Sequence, residues 1–309
     1  MKGKRLLLTL LTTTLLLAAC GRPAAPPSDE GKLRVVATTT IVGDVVRQIG
    51  GEAIALTVLL PPGADPHAFE ATPQDMARVA EAQLLFANGA GLEAFLDPLL
   101  ENAGGQAELV DLSQNVPLRA FREKLAEGTP EAEAPPDPHV WTDPNNVLLW
   151  TETIEAALAE ADPAHADLYH QNAEHYREAL RTLDGWIQEE VAQVPPERRK
   201  LVTDHLFLGY FADRYGFEQI GAIIPGYTTV SSPSAQELAA LEEAIRRYGV
   251  PAVFVGTTVN PALAEQVARD TGVKLVPIYT GSLTGPDGDA PTYLDYMHYD
   301  VRAIVEALR

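Results

Sequence analysis

Three histidines, each close behind an aspartate, carry the chemistry this sequence can do: Asp65-Pro66-His67, Asp137-Pro138-His139 and Asp204-His205. Imidazole is a common nitrogen ligand for Zn(II), and three imidazoles leave one position of a tetrahedral ion open. Residues so far apart in the chain share neither a helix face nor a turn. If they meet, a whole fold brings three loops together, as in a buried metal site. The other four histidines have bland surroundings. His165, His170 and His175 recur every fifth residue of a helical stretch, which spreads them around the helix, and His298 belongs to a C-terminal helix. These four read as surface or packing residues.

The elements that must position the three histidines alternate between strand and helix. Residues 33–39 form a buried strand, 41–49 a helix stopped by Gly50-Gly51, and 54–60 a second strand closed by Pro61-Pro62-Gly63. The loop that follows delivers His67. Thr72-Pro73 opens the next helix, with Thr72 as N-cap and Pro73 in the first turn, and residues 84–87 are strand again. Strand, helix, strand at this spacing implies a parallel sheet. The acidic, proline-bearing segment 122–137 has no periodicity and runs into His139 as a surface loop, either a gate for the site or an idle insertion.

Asp162-Pro163 opens the longest periodic stretch, with Tyr169, Ala173, Tyr176, Leu180, Leu183 and Ile187 on one face and Pro195-Pro196 as its stop. A helix over 163–194 would be about 48 Å long, longer than a lobe is wide, so it is expected to be a spine between two lobes. Gly185 inside it costs about 1 kcal/mol relative to alanine, a cost that packing along the spine can absorb. Beyond it, 200–203 is a strand delivering Asp204-His205, 206–215 a helix, and Ser232-Pro233 repeats the helix opening seen at Thr72. Residues 252–256 parallel 84–89, 260–272 form a helix, 274–279 the last strand, and a helix starts near Thr292. The fold expected is α/β, with two pseudo-symmetric lobes of parallel sheet flanked by helices, at 33–161 and 196–309, joined by one long spine helix at 162–195.

A chain of 309 residues with 46% apolar content is large enough for two such lobes and too apolar for disorder. Its formal charge of -20 repels phosphate backbones and anionic lipid, which excludes nucleic acid as a partner, although acidity also serves solubility or a salty habitat. The single cysteine, Cys20, rules out an intrachain disulfide and a thiolate cluster. It stands behind Lys2, Lys4, Arg5 and an apolar run, in Leu17-Ala18-Ala19-Cys20-Gly21, which resembles a bacterial lipoprotein signal. On that reading 1–19 is a signal peptide, Cys20 is acylated, and 20–32 is a tether rich in proline and alanine. The protein would then be exported and lipid-anchored at the outer face of the cytoplasmic membrane. No other apolar stretch approaches ~18 residues.

The motifs from Pro61-Pro62-Gly63 through His67, from Asp137 through Trp141-Thr142-Asp143-Pro144, at Asp204-His205 with Tyr210-Phe211-Ala212, and at Ile224-Pro225-Gly226 together resemble the solute-binding lipoproteins of zinc and manganese ABC importers. The likeness covers nearly all of 33–309. It implies a non-enzymatic receptor, expected to be monomeric, that hands a divalent metal to an ABC permease and its ATPase. His67 and His139 would come from the first lobe and His205 from the second. Two places depart from the family pattern. Gly281, in Thr280-Gly281-Ser282, stands where the family often has an aspartate ligand, so water or a loop carboxylate such as Asp287 or Asp289 would complete the shell. The acidic loop 122–137 replaces the histidine-rich loop of some zinc members. An all-imidazole set favours Zn2+, with Mn2+ as the alternative.

A zinc hydrolase could use the same three ligands with Asp204 as base, but neither a His-Glu-x-x-His helix nor a Gly-x-Ser-x-Gly elbow is present. A surface adhesin would use the metal only structurally. Since only neutral imidazole coordinates, the three histidines predict a large loss of affinity between about pH 7.5 and 5.5.

Overall fold

The computed structural model describes residues 29, 31–121, 134–226 and 228–309. The leader, Cys20, most of the tether and most of the acidic loop 122–137 lie outside the described residues.

Two four-stranded sheets are built to one plan. In the first, β1 (Leu33–Ala37), β2 (Ile54–Val58), β3 (Leu84–Ala87) and β4 (Glu108–Asp111) lie in the order β2-β1-β3-β4. In the second, β5 (Lys200–Thr203), β6 (Glu218–Ala222), β7 (Ala252–Gly256) and β8 (Lys274–Ile278) lie in the order β6-β5-β7-β8. Every pairing is parallel. Parallel sheets must be covered on both faces, and β3 and β7 accordingly are continuous apolar runs buried along their whole length.

The helices are α1 (Thr40–Gly50), α2 (Pro73–Glu81), α3 (Leu96–Ala103), α4 (Pro144–Ala161), α5 (Ala166–Val191), α6 (Gly209–Tyr215), α7 (Ala235–Tyr248), α8 (Ala262–Thr271) and α9 (Tyr293–Leu308). α2 and α3 cover one face of the first sheet and α7 and α8 one face of the second, each with its own apolar cluster. The remaining faces share one larger core. Val35 and Phe86 of the first sheet, Trp150 of α4, Tyr169 and Leu180 of α5, Phe254 of the second sheet and Tyr293 of α9 all belong to it. Burying each such side chain contributes about 1.5–3 kcal/mol, so this core ties the two sheets into one body.

The spine differs from the sequence expectation. Pro163–His165 is a single 3-10 turn, and the α-helix proper is 26 residues, Ala166–Val191. That gives about 39 Å at 1.5 Å per residue instead of 48 Å. It does not stand alone: α4, an element the periodicity did not reveal, packs against it. Gly185 faces open space, with nothing within 4 Å of where its Cβ would stand, so packing does not offset its conformational cost. Two helix starts also move. α6 begins at Gly209, because 206–208 turn away to pack Phe207 under the imidazoles. α7 is capped by Ser234 with Glu237 in a capping box, two residues beyond the Ser232-Pro233 opening, whereas Thr72 caps α2 as expected, with Asp75 completing a capping box there too.

Candidate metal centre

Each of the three histidines leaves the carboxyl side of a sheet. His67 lies in the loop after β2, His139 between β4 and α4, and His205 just past the end of β5 at Thr203. This edge is where parallel α/β sheets place ligands. The preceding aspartate sets each local turn. Asp65 Oδ1 accepts the His67 backbone N–H at 2.9 Å, Asp137 Oδ1 that of His139 at 3.1 Å, and Asp204 Oδ1 that of His205 at 2.6 Å.

Asp137 and Asp204 do a second thing. The Nδ1–H of His139 donates to Asp137 Oδ1 at 2.8 Å, and that of His205 donates to Asp204 Oδ1 at 2.7 Å. Each carboxylate thus assigns the proton to Nδ1 and leaves Nε2 as a lone pair. The two Nε2 atoms nevertheless face each other at 3.3 Å, and His67 Nε2 stands 3.2 Å from that of His139. Two lone pairs make no hydrogen bond. Ligands about 2.0–2.1 Å from a tetrahedral ion stand about 3.3–3.4 Å apart, which is the spacing seen here. His67, His139 and His205 are, among the described residues, the group of side chains whose ligand atoms fall within 4.8 Å of one another.

Burial favours the neutral form of His67 and His139. It holds His67 far below the ordinary imidazole value, at about 2, and the neighbouring His139 and His205 push the same way. His139, 1% exposed, is lowered by burial against the opposing pull of Asp137. Burial raises Asp137, but its hydrogen bonds with His139 and the Arg119 guanidinium outweigh that and hold it below the usual carboxylate range.

Supports that no local pattern announced hold this arrangement. Asp204 Oδ2 accepts the backbone N–H of Gly256 at 2.5 Å, and a Cβ at Gly256 would sit 2.6 Å from that oxygen, so only glycine lets β7 hold the carboxylate. Arg119 binds Asp137 Oδ2 at 2.8 Å and Asp213 of α6 at 2.9 Å, while the Tyr210 hydroxyl donates to the Asp137 carbonyl at 2.9 Å. A Cβ at Gly209 would fall 1.6 Å from the Arg119 guanidinium. Asn88 Nδ2 donates to the Pro138 carbonyl at 2.9 Å, and the buried Glu93 accepts the Asn88 N–H at 2.7 Å. Apart from the local Asn88–Glu93 bond, these contacts join residues 18 to 94 positions apart, beyond the reach of periodicity or turn chemistry.

Around the imidazoles the cavity wall is Asp65, Pro66, Trp141, Thr280 and Gly281. Trp141 Nε1–H donates to the Thr280 carbonyl at 3.2 Å. Space beside the three rings is too tight for a water molecule, and the Pro66 ring packs where a side chain at 281 would stand: a Cβ there would meet its Cγ and Cδ at 2.7 and 2.8 Å. Asp287 and Asp289, the loop carboxylates expected to complete the shell, are exposed and outside the histidine group. Their loop folds on itself, Thr284 N–H donating to the Ala290 carbonyl at 2.9 Å, which turns both outward. The four remaining histidines stay apart from the cluster. His165 pairs with Asp162, His170 with Glu155, His175 is exposed, and His298 packs edge-on against Trp186 with ring centroids 4.1 Å apart.

Known proteins resemble this chain over most of its length. Residues 35–307 match the family described as zinc-uptake complex component A, periplasmic. The manganese-binding lipoprotein MntA of Halalkalibacterium halodurans is 32% identical over 291 residues, covering 94% of this chain and 93% of that protein. The iron-binding protein YfeA of Yersinia pestis is 32% identical over 282 residues, 91% of this chain and 88% of that one. Among solved structures, the periplasmic zinc binding protein TroA from Treponema pallidum aligns with a TM-score of 0.81 and 27% identity over 90% of this chain and 99% of its own. With a family match over most of its length and relatives of this similarity, the chain belongs to the substrate-binding lipoproteins of metal ABC transporters, which are receptors and not enzymes.

Proposed function

We propose that this receptor captures zinc with the Nε2 atoms of His67, His139 and His205 and delivers it to the permease and ATPase of an ABC importer. The observation that carries the reading is the pair of carboxylate-locked imidazoles whose Nε2 lone pairs face each other at 3.3 Å, an arrangement that a cation stabilises and that is repulsive without one. The ion is cargo. No carboxylate oxygen joins the imidazole group among the described residues, and an all-nitrogen set suits zinc better than manganese, which prefers oxygen. The receptor works as a monomer outside the cytoplasm, held to the membrane by lipid on Cys20, with residues 33–161 and 196–309 as the lobes on either side of the metal and 162–195 linking them.

Manganese is the second reading, favoured by the relatives named for that metal. The two are separated by expressing the protein in medium with equal zinc and manganese and measuring bound metal per chain by elemental analysis. Zinc near one equivalent supports the first reading. Manganese in its place overturns it.

A further inference from the structure

A carboxylate stands at the threshold of the site without belonging to the imidazole group. Asp65 lines the enclosed cavity of the three histidines and also an open groove of about 340 Å³ beyond it, whose other walls include Thr229, Ser231, Thr258 and Asn260. Its Oδ1 holds the His67 N–H at 2.9 Å, and its Oδ2 accepts the Thr229 hydroxyl. Among the described residues it forms no ion pair with an arginine or lysine. A carboxylate offers about four acceptor sites, so two hydrogen bonds leave lone pairs for a cation. An ion leaving water for a cavity too tight for water must give up its hydration stepwise, and an oxygen ligand at the boundary lowers the barrier to the first exchange.

We propose that Asp65 is the entry ligand. A divalent ion arriving through the groove binds the Asp65 carboxylate first, displacing the Thr229 hydroxyl from Oδ2, and passes from there to the three Nε2 atoms. Departure retraces these steps. This rests on the three-imidazole reading above, and a carboxylate met only in transit sets rates in both directions.

The test is stopped-flow mixing of the metal-free protein with Zn2+, and of the zinc-loaded protein with a chelator. Asp65→Asn keeps an oxygen to accept the His67 N–H and loses the charge; it is expected to slow zinc association about tenfold, with dissociation slowed by a similar factor. Thr229→Val frees Oδ2 and is expected to speed association. Glu178→Gln, on an exposed face of α5 where the side chain is 74% accessible, measures the effect of one unit of net charge alone. An Asp65→Asn association rate equal to that of Glu178→Gln, or faster dissociation with association unchanged, overturns the proposal and makes Asp65 only a brace for His67. Failure of the underlying site looks different: His67→Ala, His139→Ala and His205→Ala would then bind zinc as the unsubstituted protein does.

Discussion

Asp137 sits at the meeting point of His139, Arg119 and the second sheet's α6, and so governs more than one tautomer. Replacing it with asparagine removes the charge that draws the proton to Nδ1 and leaves Arg119 half-paired. Asp137→Asn is expected to weaken zinc binding about 10- to 100-fold, measured by competition with a chromophoric chelator. Wild-type affinity in that variant would mean that packing alone orients the ring. Burial of the imidazoles also changes the expected pH dependence. Three rings of ordinary pKa near 6.5 would lose roughly a thousandfold in affinity by about pH 5.5, since each is then about nine-tenths protonated. His67 and His139 have lowered pKa values, so protons compete with the metal less at any given pH. Affinity at pH 5.5 should therefore fall by well under that factor. The same shifts act on the metal-free fold. A histidine whose folded pKa is lowered binds fewer protons folded than unfolded, so its contribution is complete above about pH 6.5 and is lost as pH falls toward the folded value. Urea titrations of the metal-free protein at pH 7.5 and 5.5 should show lower stability at the acid end, and for His139→Ala a smaller difference.

α5 gives the clearest test at the level of elements, because Gly185 neither packs nor turns there. Gly185→Ala should raise the unfolding free energy by about 0.5–1 kcal/mol in a urea titration while zinc affinity stays the same. No gain would mean that the helix needs that freedom. Elements with one buried stripe and a cap were legible from sequence: α2 from Thr72-Pro73, α5 from its alternating threes and fours, and β1, β3 and β7 from their apolar runs. α4 was not, although Asp143-Pro144 repeats the same cap-and-proline opening. Its buried positions include Asn146, Thr151 and Thr153 beside Val147, Trp150 and Ile154, so burial on several faces blurs the stripe. β4 is an edge strand with Glu108 and Leu109 exposed, which removes the apolar signal of its neighbours. The α7 start was misplaced because Ser232-Pro233 imitates a cap that Ser234 supplies.

In the whole molecule the second sheet repeats the strand order of the first, and the imidazoles meet because both sheets turn their carboxyl edges to one place. The spacing of acid-histidine pairs suggested that meeting, but the contacts that hold it join distant parts of the chain. Gly63 N–H donates to Ser282 Oγ at 2.8 Å, Leu283 N–H to Thr40 Oγ1 at 2.8 Å, and Pro66 lies against Gly281. Such pairs leave no mark in local composition, which is why Gly281 read as a missing ligand rather than as room for Pro66. Gly281→Ala should push the loop bearing His67 away and lower zinc affinity severalfold with the fold intact by circular dichroism; unchanged affinity would show that Pro66 yields freely. X-ray absorption at the zinc edge of the loaded protein tests the centre most directly. Three imidazole nitrogens at about 2.0–2.1 Å, with the outer-shell scattering of their rings, are expected. A shell of oxygens without imidazole scattering would contradict the three-histidine site.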